Sequence, residues 1–274
     1  MSFALGDRQI VAPVMLAPLA GITDLPFRTL VSRFGAGLVV SEMIASGEFL
    51  TARPGTREKA ELGAQIENTS VQIAGRDPAP MAEAARMVAD YGARVIDINM
   101  GCPAKKVTGG YSGSALMRDP GHALRLIEAV AKAVSVPVTL KTRLGWDDHA
   151  RNAPDLARMA ESAGVRMVVI HGRTRCQFYK GRADWSAIRA VRYAVSIPVI
   201  ANGDIVDAAT ARQALARSGG AGVMVGRGAQ GAPWRLAQIS AALYGTPAPD
   251  IPAGAAFADM VAEHYEAMLS FYGA

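Results

Sequence analysis

Residues 14–21, Val-Met-Leu-Ala-Pro-Leu-Ala-Gly, distinguish between the two folds that best suit this chain. The stretch begins as a short apolar run, which is typical of a parallel strand that is covered on both faces. An open doubly wound sheet usually continues its first strand into a glycine-rich phosphate-binding turn, and Ala-Pro-Leu-Ala-Gly does not match that turn. The stretch therefore favours a closed barrel over an open sheet.

Seven further apolar runs lie outward from this stretch, and helical patterns separate them. The runs are residues 38–41, 70–73, 95–99, 138–142, 167–171, 199–202 and 222–225. The helical patterns are residues 25–34, 79–91, 120–134, 153–163, 185–194, 207–217 and 234–244. Asp119 and Asp207 stand at expected N-caps, and Gly35, Gly92 and Gly164 stand at expected C-caps. Eight strands that alternate with helices predict an α/β fold, the (β/α)8 TIM barrel.

The end of the chain differs in composition from the rest. Residues 1–244 carry the predicted barrel, and residues 245–252, Gly-Thr-Pro-Ala-Pro-Asp-Ile-Pro, have the composition of a linker. Residues 255–271 then predict a helix with apolar side chains along one side. A lone helix cannot bury that side well. Either it packs on the barrel, or residues 245–274 are a linker and the first part of a helical domain.

Composition limits the class of protein. Half of the 274 residues are apolar, yet no uninterrupted apolar run is long enough to cross a membrane. Two cysteines, Cys102 and Cys176, argue against a disulfide framework and fit a reducing cytoplasm. The formal charge of +5 serves either solubility or an anionic partner such as nucleic acid.

Polar side chains follow nearly every predicted strand. Because barrel active sites are assembled where the strands end, we take these positions as the candidate site. They are Pro18, Ser41 with Glu42, Gln72, Asn99 with Cys102, Lys141 with Arg143, His171 with Arg173, Asn202 with Asp204, and Gly226 with Arg227.

The last two strand ends have the pattern of a phosphate site. Residues 202–204, Asn-Gly-Asp, and 226–228, Gly-Arg-Gly, follow the seventh and eighth strands. Backbone amides in glycine turns can surround a phosphate, and Arg227 can add positive charge.

Three other strand-end side chains suit a cofactor ring. Lys141 is either a lysine that extends to water or a cation that faces an electron-rich ring such as a reduced flavin. Gln72 and Asn99 can each donate and accept hydrogen bonds at the edge of such a ring or of a pyrimidine.

Cys102 is the candidate for catalysis. It lies between Gly101 and Pro103, before a loop that contains two lysines and several glycines, and such a setting suits a reactive thiol better than a small core side chain. Cys176 has no comparable setting, so we expect an ordinary small buried side chain there. The histidines and cysteines have no metal-ligand spacing, and we expect no metal.

Several of these stretches, in this order, resemble the tRNA-dihydrouridine synthases, most closely the bacterial B-type branch. The matching stretches are residues 17–24 (APLAGITD), 41–43 (SEM), 71–75 (VQIAG), 97–103 (DINMGCP), 113–117 (GSALM), 141–146 (KTRLGW), 171–174 (HGRT), 202–204 (NGD) and 226–228 (GRG). One departure is Leu19, where the family usually has methionine.

The resemblance implies an FMN barrel with a C-terminal helical domain that binds tRNA. It implies that the FMN site is lined by Pro18, Leu19, Ala20, Gln72, Lys141, His171, Asn202, Gly203, Asp204, Gly226 and Arg227. It implies Cys102 as proton donor to the substrate, and we add Asn99, Lys105, Arg143 and Arg173 as candidate substrate-binding residues.

The function expected on this basis is the reduction of uridines in tRNA to dihydrouridine by a monomeric cytoplasmic enzyme. In the expected mechanism NADPH, or NADH, would reduce FMN, hydride would pass to C6 of the base, and Cys102 would protonate C5. Two alternatives remain open at this stage: another FMN barrel that acts on a free pyrimidine, and a non-enzymatic RNA-binding or regulatory protein.

Overall fold

The computed structural model describes residues 2–51, 56–63 and 68–273, and its main body is a closed parallel β-barrel. The strands of the described chain are β1 (Ser2–Leu5), β2 (Arg8–Val11), β3 (Val14–Leu16), β4 (Leu38–Val40), β5 (Ile44–Ala45), β6 (Thr69–Ala74), β7 (Val95–Met100), β8 (Val138–Arg143), β9 (Met167–His171), β10 (Val199–Asn202) and β11 (Gly222–Val225). Strands β6 to β11 pair in sequence, β11 pairs with β3, and β3 pairs with β4. The pairing of β4 with β6 closes the ring of eight strands, which confirms the barrel.

Helices separate the barrel strands. They are α1 (Leu25–Phe34), α2 (Ser46–Leu50), α3 (Thr56–Ala60), α4 (Pro78–Asp90), α5 (Lys105–Thr108), α6 (Pro120–Ala133), α7 (Ala153–Ser162), α8 (Trp185–Ala194), α9 (Ala208–Ser218), α10 (Arg235–Tyr244) and α11 (Ala255–Tyr272). The side chains of Asp119 and Asp207 cap α6 and α9 as expected. No helix in the described ranges is long and apolar enough to cross a membrane.

An antiparallel hairpin of β1 and β2 precedes the barrel and was not expected from the sequence. Leu5 and Ile10 of the hairpin are buried in the same cluster as Met15, Met167 and Met224 of the barrel strands. This cluster is separate from the larger core that joins the strands to the helices. The hairpin therefore covers apolar side chains of the barrel interior that the helices do not reach.

The hairpin should contribute measurably to stability. Ile10 is buried and Val11, its neighbour, is 62% exposed. We expect Ile10→Ala to lower the free energy of unfolding by about 2–5 kcal/mol, because it leaves a cavity in the cluster. Val11→Ala is the matched control and should lower it by less than about 0.5 kcal/mol. Urea unfolding measures both, and equal values for the two variants would contradict this role of the hairpin.

The C-terminal helix α11 packs against α1. Tyr272 donates a hydrogen bond of 2.9 Å to Asp24, whose other oxygen caps α1, and Arg33 forms an ion pair with Glu263. Phe257 and Tyr265 stay 41% and 62% exposed. The helix thus lies on the barrel but buries only part of its apolar side.

Candidate active site

A cavity of about 740 Å³ opens where the barrel strands end. Its volume lies in the range of roughly 300–1,000 Å³ that is usual for cofactor and substrate sites. It is lined by every residue expected to contact FMN, by Cys102, and by Asn99, Arg143 and Arg173. Lys105 is exposed on α5 and does not line it. The structure thus brings the strand-end residues together, while the role of each one stays a prediction.

The turn after β3 forms one wall of the cavity. The Thr23 hydroxyl accepts a hydrogen bond from the Leu19 amide at 2.9 Å, and the Gly21 amide donates to a carboxylate oxygen of Glu42. Pro18, Leu19 and Ala20 lie in this turn and line the cavity. Since the turn is fixed by the Thr23 hydroxyl within it and by the Glu42 carboxylate from beyond β4, this mostly apolar wall is held in a defined position.

A chain of hydrogen bonds crosses the floor of the cavity from β8 to the Cys102 loop. Asp97 accepts hydrogen bonds from Thr139 and from the Gln72 amide, both at 2.6 Å. Gln72 in turn accepts one from the Asn99 amide at 2.7 Å. Asn99 accepts two, from the backbone amides of Gly101 at 3.2 Å and Cys102 at 3.0 Å. We call these four side chains, Thr139, Asp97, Gln72 and Asn99, the polar relay.

The backbone amides at the Cys102 end of the polar relay fix the direction of its bonds from there to Asp97. Backbone amides can only donate, so Asn99 must present its oxygen to Cys102 and its NH₂ group to Gln72. Gln72 must then accept from Asn99 and donate to Asp97, which accepts. Burial raises the pKa of Asp97, whereas the Thr139 and Gln72 hydrogen bonds and the nearby Lys141 charge oppose that rise. The relay therefore connects a buried carboxyl group to the backbone of Cys102.

Cys102 itself is half-buried at the edge of the cavity. Its carbonyl accepts hydrogen bonds from the amide and the hydroxyl of Ser114, at 3.1 and 2.9 Å. Gly113 has a φ of +60°, and a Cβ atom there would lie 2.8 Å from that same carbonyl oxygen. The loop is therefore held on both sides of the thiol, and it contains the short helix α5 that the sequence did not predict.

Lys141 and His171 place a cation and a neutral ring side by side in the cavity. Lys141 donates a hydrogen bond of 3.2 Å to Asn202, and burial, together with the neighbouring Arg143, lowers its pKa to about 8. Burial and four nearby cations hold the pKa of His171 well below its ordinary value. At neutral pH Lys141 is thus charged and His171 is neutral, so an anion that enters the cavity meets the ammonium group of Lys141.

The turns after β10 and β11 form a cradle of backbone donors. In the described part of the chain the amides of Gly203, Asp204, Arg227 and Gly228 have no hydrogen-bond acceptor. Gly203 has a φ of +109°, and a Cβ atom there would lie 2.7 Å from the ring of His171. Only glycine fits this position, and its backbone can approach a ligand closely. We call these four residues the amide cradle; the arrangement suits a phosphate group.

Arg173 and Arg143 organise the loops around the cavity. Arg173 forms a two-bond ion pair with Asp204 at 2.9 and 2.7 Å. Burial alone would raise the pKa of Asp204, but the Arg173 bonds and the Ala183 amide bring it below the ordinary value. Arg143 donates to the carbonyls of Gly101, Thr174 and Phe178 at 2.8–2.9 Å. Because these donors are already engaged within the protein, substrate contact through either arginine stays a prediction.

The structure corrects the expectation for Cys176 and adds Asp97 and Thr139 to the site. Cys176 is exposed rather than buried, because it lies in the loop after β9 at the rim of the barrel. Asp97 and Thr139 were not recognised as site residues. The signal for them was present, since Asp97 alternates with Asn99 and Thr139 with Lys141 along their strands, and alternate residues share a face.

Comparisons with known proteins agree with this geometry. The family model described as dihydrouridine synthase matches residues 15–274. A probable tRNA-dihydrouridine synthase of Rhodobacter capsulatus is 69% identical over 100% of this chain and 85% of its own length. The tRNA-dihydrouridine synthase B of Xanthomonas axonopodis pv. citri is 45% identical over 98% of this chain and 81% of its own length.

The fold is also found in solved structures. The structure of histamine dehydrogenase from Rhizobium sp. 4-9 aligns with a TM-score of 0.63 and 13% identity, over 85% of this chain and 46% of that one. At that identity the likeness supports the barrel fold alone. The family match covers nearly the whole chain, and on that evidence the chain belongs to the dihydrouridine synthase family.

Proposed function

We propose that this chain reduces specific uridines of tRNA to 5,6-dihydrouridine, with FMN as its bound cofactor and NADPH or NADH as the reductant. The observation that carries the proposal is the convergence of a cysteine, a lysine and an amide cradle on one cavity. Membership of the dihydrouridine synthase family supports the same activity. We place the enzyme in the cytoplasm as a monomer.

The residues of the cavity fit FMN. The amide cradle and Arg227 would hold the phosphate, because four backbone amides without an acceptor among the described residues and a guanidinium are a suitable partner for a dianion. Lys141 and Gln72 would bind the polar edge of the ring system, where Lys141 offsets negative charge. When bound, the flavin supplies the hydride that adds to C6 of the uracil ring.

Cys102 supplies the proton. As hydride reaches C6, the C5 carbon gains electron density, and the Cys102 thiol donates its proton to C5. The thiolate that results takes a proton back from water before the next cycle. The polar relay holds the backbone of Cys102, so the thiol can be kept within reach of C5 while the base lies in the cavity. The base must leave its stack to enter, as in other enzymes that modify bases.

Residues 245–274 are proposed to form a linker and the first part of a helical tRNA-binding domain, attached to the catalytic barrel of residues 1–244. Support comes from α11, whose contacts with α1 in the described chain include an ion pair, a tyrosine hydrogen bond to the α1 N-cap and an edge contact between the rings of Phe27 and His264. Its side chains Phe257, Val261 and Tyr265 remain 41%, 48% and 62% exposed. Apolar side chains of that extent are available for further contacts.

Lys141 should make FMN binding depend on pH. Its pKa of about 8 in the flavin-free chain means that the ammonium loses its proton above that pH. A bound anion raises this pKa, so affinity is highest below pH 8 and falls by up to about tenfold per pH unit above it. Lys141→Met should bind FMN weakly with no such dependence. Fluorescence titrations from pH 6.5 to 9.5 measure both, and parallel curves would contradict this role of Lys141.

The cofactor proposal has its own test. The purified chain is denatured, and the released chromophore is identified by chromatography against FMN, FAD and riboflavin. FMN at about one equivalent, bleached by NADPH or NADH, supports the proposal. A colourless chain that binds none of these flavins would contradict it and leave a binding-only function. Rapid bleaching by dihydroorotate or a free dihydropyrimidine would instead indicate an enzyme of free pyrimidines.

A further inference from the structure

Two arginines share one tryptophan ring beside the mouth of the cavity. The guanidinium carbon of Arg118 lies 5.0 Å from the centre of the Trp146 ring, and that of Arg175 lies 4.7 Å from it. We call Arg118, Trp146 and Arg175 the tryptophan platform. No residue of the platform lines the cavity, and the functional roles assigned above make no use of it.

The platform is built on rigid backbone. The Arg175 amide donates to the Gly145 carbonyl and the Cys176 amide to the Trp146 carbonyl, both at 2.9 Å, so the segments after β8 and β9 run on as a paired extension of the barrel. Gly145 closes this turn, because a Cβ atom there would lie 1.9 Å from the Ala150 carbonyl oxygen. The ring that holds both arginines is therefore fixed rather than carried on a loose loop.

Positive charge on the platform is not neutralised. Within residues 2–51, 56–63 and 68–273, neither Arg118 nor Arg175 forms an ion pair. The nearest carboxylates in sequence are engaged elsewhere: Asp119 caps α6, and Asp147 accepts from the amides of His149 and Ala150. Within the described residues, the charge of both guanidiniums is therefore left unpaired by carboxylates and can attract an anion.

Arg175 also has a hydrogen-bond donor without an acceptor in the described chain. Its Nε atom is buried and has no hydrogen-bond partner in the described chain. The Nε atoms of Arg28 and Arg235 are buried in the same way, so the phosphate contact inferred for Arg175 falls on the terminal NH₂ groups of its guanidinium. A guanidinium already stacked on a ring also loses little freedom when it binds.

The platform continues into the Cys102 loop. Arg175 donates a hydrogen bond of 3.4 Å to Thr108 of α5, the helix that carries Lys105 and Lys106. Both lysines are exposed, and neither forms an ion pair in the described residues. The loop tip bears Tyr111, which is 68% exposed with a φ of +58°. Strain at an exposed aromatic residue is characteristic of a functional position.

We propose that the tryptophan platform and the two lysines of α5 bind backbone phosphates of the tRNA segment next to the reacting uridine. This inference rests on the proposed function, since it takes the base in the cavity to be part of an RNA strand. The strand must leave the cavity across its rim, and basic side chains interleaved with exposed aromatics are the usual surface for single-stranded RNA. The alternative ligand for this surface is the phosphate group of the nicotinamide cofactor. It carries the same kind of charge as an RNA phosphate, but it does not extend along the surface as an RNA strand does.

The test compares two double variants in the flavin-loaded chain. Arg118→Ala with Arg175→Ala removes the platform charges. Arg212→Ala with Arg217→Ala is the matched control, because both residues are exposed on α9 and Arg217 also stands over a tryptophan ring, that of Trp185 at 5.6 Å. For each protein, tRNA affinity is measured from about 50 to 300 mM salt, and flavin reduction by NADPH is measured separately.

The platform variant should lower the slope of log affinity against log salt by about 1.5, since two phosphate contacts are lost at about 0.7–0.9 each. Its affinity near 0.1 M salt should fall roughly 30-fold by the same relation. The control and a charge-preserving double lysine variant should keep most of the wild-type slope, and all four proteins should be reduced by NADPH at the same rate. Equal thermal unfolding of the two alanine variants excludes misfolding as the cause.

Three results would overturn the inference. The first is a platform variant whose log affinity depends on log salt as steeply as that of the wild type. The second is a control variant whose slope falls as much as that of the platform variant. The third is slower reduction by NADPH with tRNA affinity unchanged, which would assign the platform to the nicotinamide cofactor. A wild-type chain that binds tRNA through the platform but forms no dihydrouridine would contradict the proposed function alone.

Discussion

Replacing Cys102 with alanine should abolish most tRNA reduction while leaving the flavin chemistry intact. A positioned general acid contributes roughly 100- to 10,000-fold, so single-turnover oxidation of the reduced enzyme by unmodified tRNA should slow by that factor. Cys102 lies at the edge of the cavity and shares its loop bonds with Asn99 and Ser114 through backbone atoms. Those bonds survive the substitution, so the variant should stay yellow and NADPH should still bleach it.

The exposed second cysteine provides the control for this experiment. Cys176 is exposed and does not line the cavity, so Cys176→Ala should retain the wild-type single-turnover rate. A Cys102 that served only for packing would behave like a small core side chain, with lower stability in the alanine variant and normal turnover per folded molecule. A Cys102→Ala enzyme that forms dihydrouridine at the native rate would therefore remove Cys102 from the mechanism.

The second large effect is expected at Asp97, which the polar relay connects to Cys102. Asp97→Leu removes the acceptor that fixes Gln72, so Gln72 can rotate and its hydrogen bond no longer holds the NH₂ group of Asn99. Since misplacement of a reacting group by about 1 Å can reduce a rate about 100-fold, single-turnover reduction of tRNA should fall about 10- to 100-fold. Asp97→Asn keeps an oxygen that can accept from Gln72 and should retain most of the rate.

The reactivity of the two cysteines can show whether Asp97 positions Cys102 or only stabilises the fold. Alkylation of Cys102 by iodoacetamide, measured by mass spectrometry relative to Cys176 in the same molecule, reports the setting of the loop without any turnover. In the leucine variant this ratio should change, and in the asparagine variant it should match the wild type. If Asp97 acts only on stability, the leucine variant will unfold at a lower temperature and keep both the alkylation ratio and the rate of the folded enzyme.

Strand periodicity was sufficient to predict the barrel and the ring of residues around its cavity. Buried parallel strands are continuous apolar runs, and the side chain after each run falls at the same end of the barrel, so neighbours such as Lys141 and His171 could be grouped without knowing their distances. The β1–β2 hairpin was missed because its segment, residues 2–11, contains polar side chains and lacks a long apolar run.

The interior of the site was harder to predict than its outline. Asp97 was part of a recognised motif, but its bond to Thr139 joins residues 42 positions apart, and such pairing depends on strand register. Arg143 was expected to face substrate, and the structure shows that three of its hydrogen bonds hold surrounding loops. The sequence shows which residues lie at a strand end. Which acceptor each hydrogen-bond donor contacts depends on how the strands and loops pack.

Product formation tests most directly whether this cavity reduces uridine within tRNA. The purified, flavin-loaded chain is incubated with an unmodified tRNA transcript and NADPH, and the RNA is digested and analysed by mass spectrometry with position mapping. We predict that defined uridines gain two hydrogens, that free uridine is not reduced, and that the Cys102→Ala enzyme gives little product. A flavin-loaded chain that NADPH reduces, but that leaves every uridine of the tRNA unchanged, would contradict it.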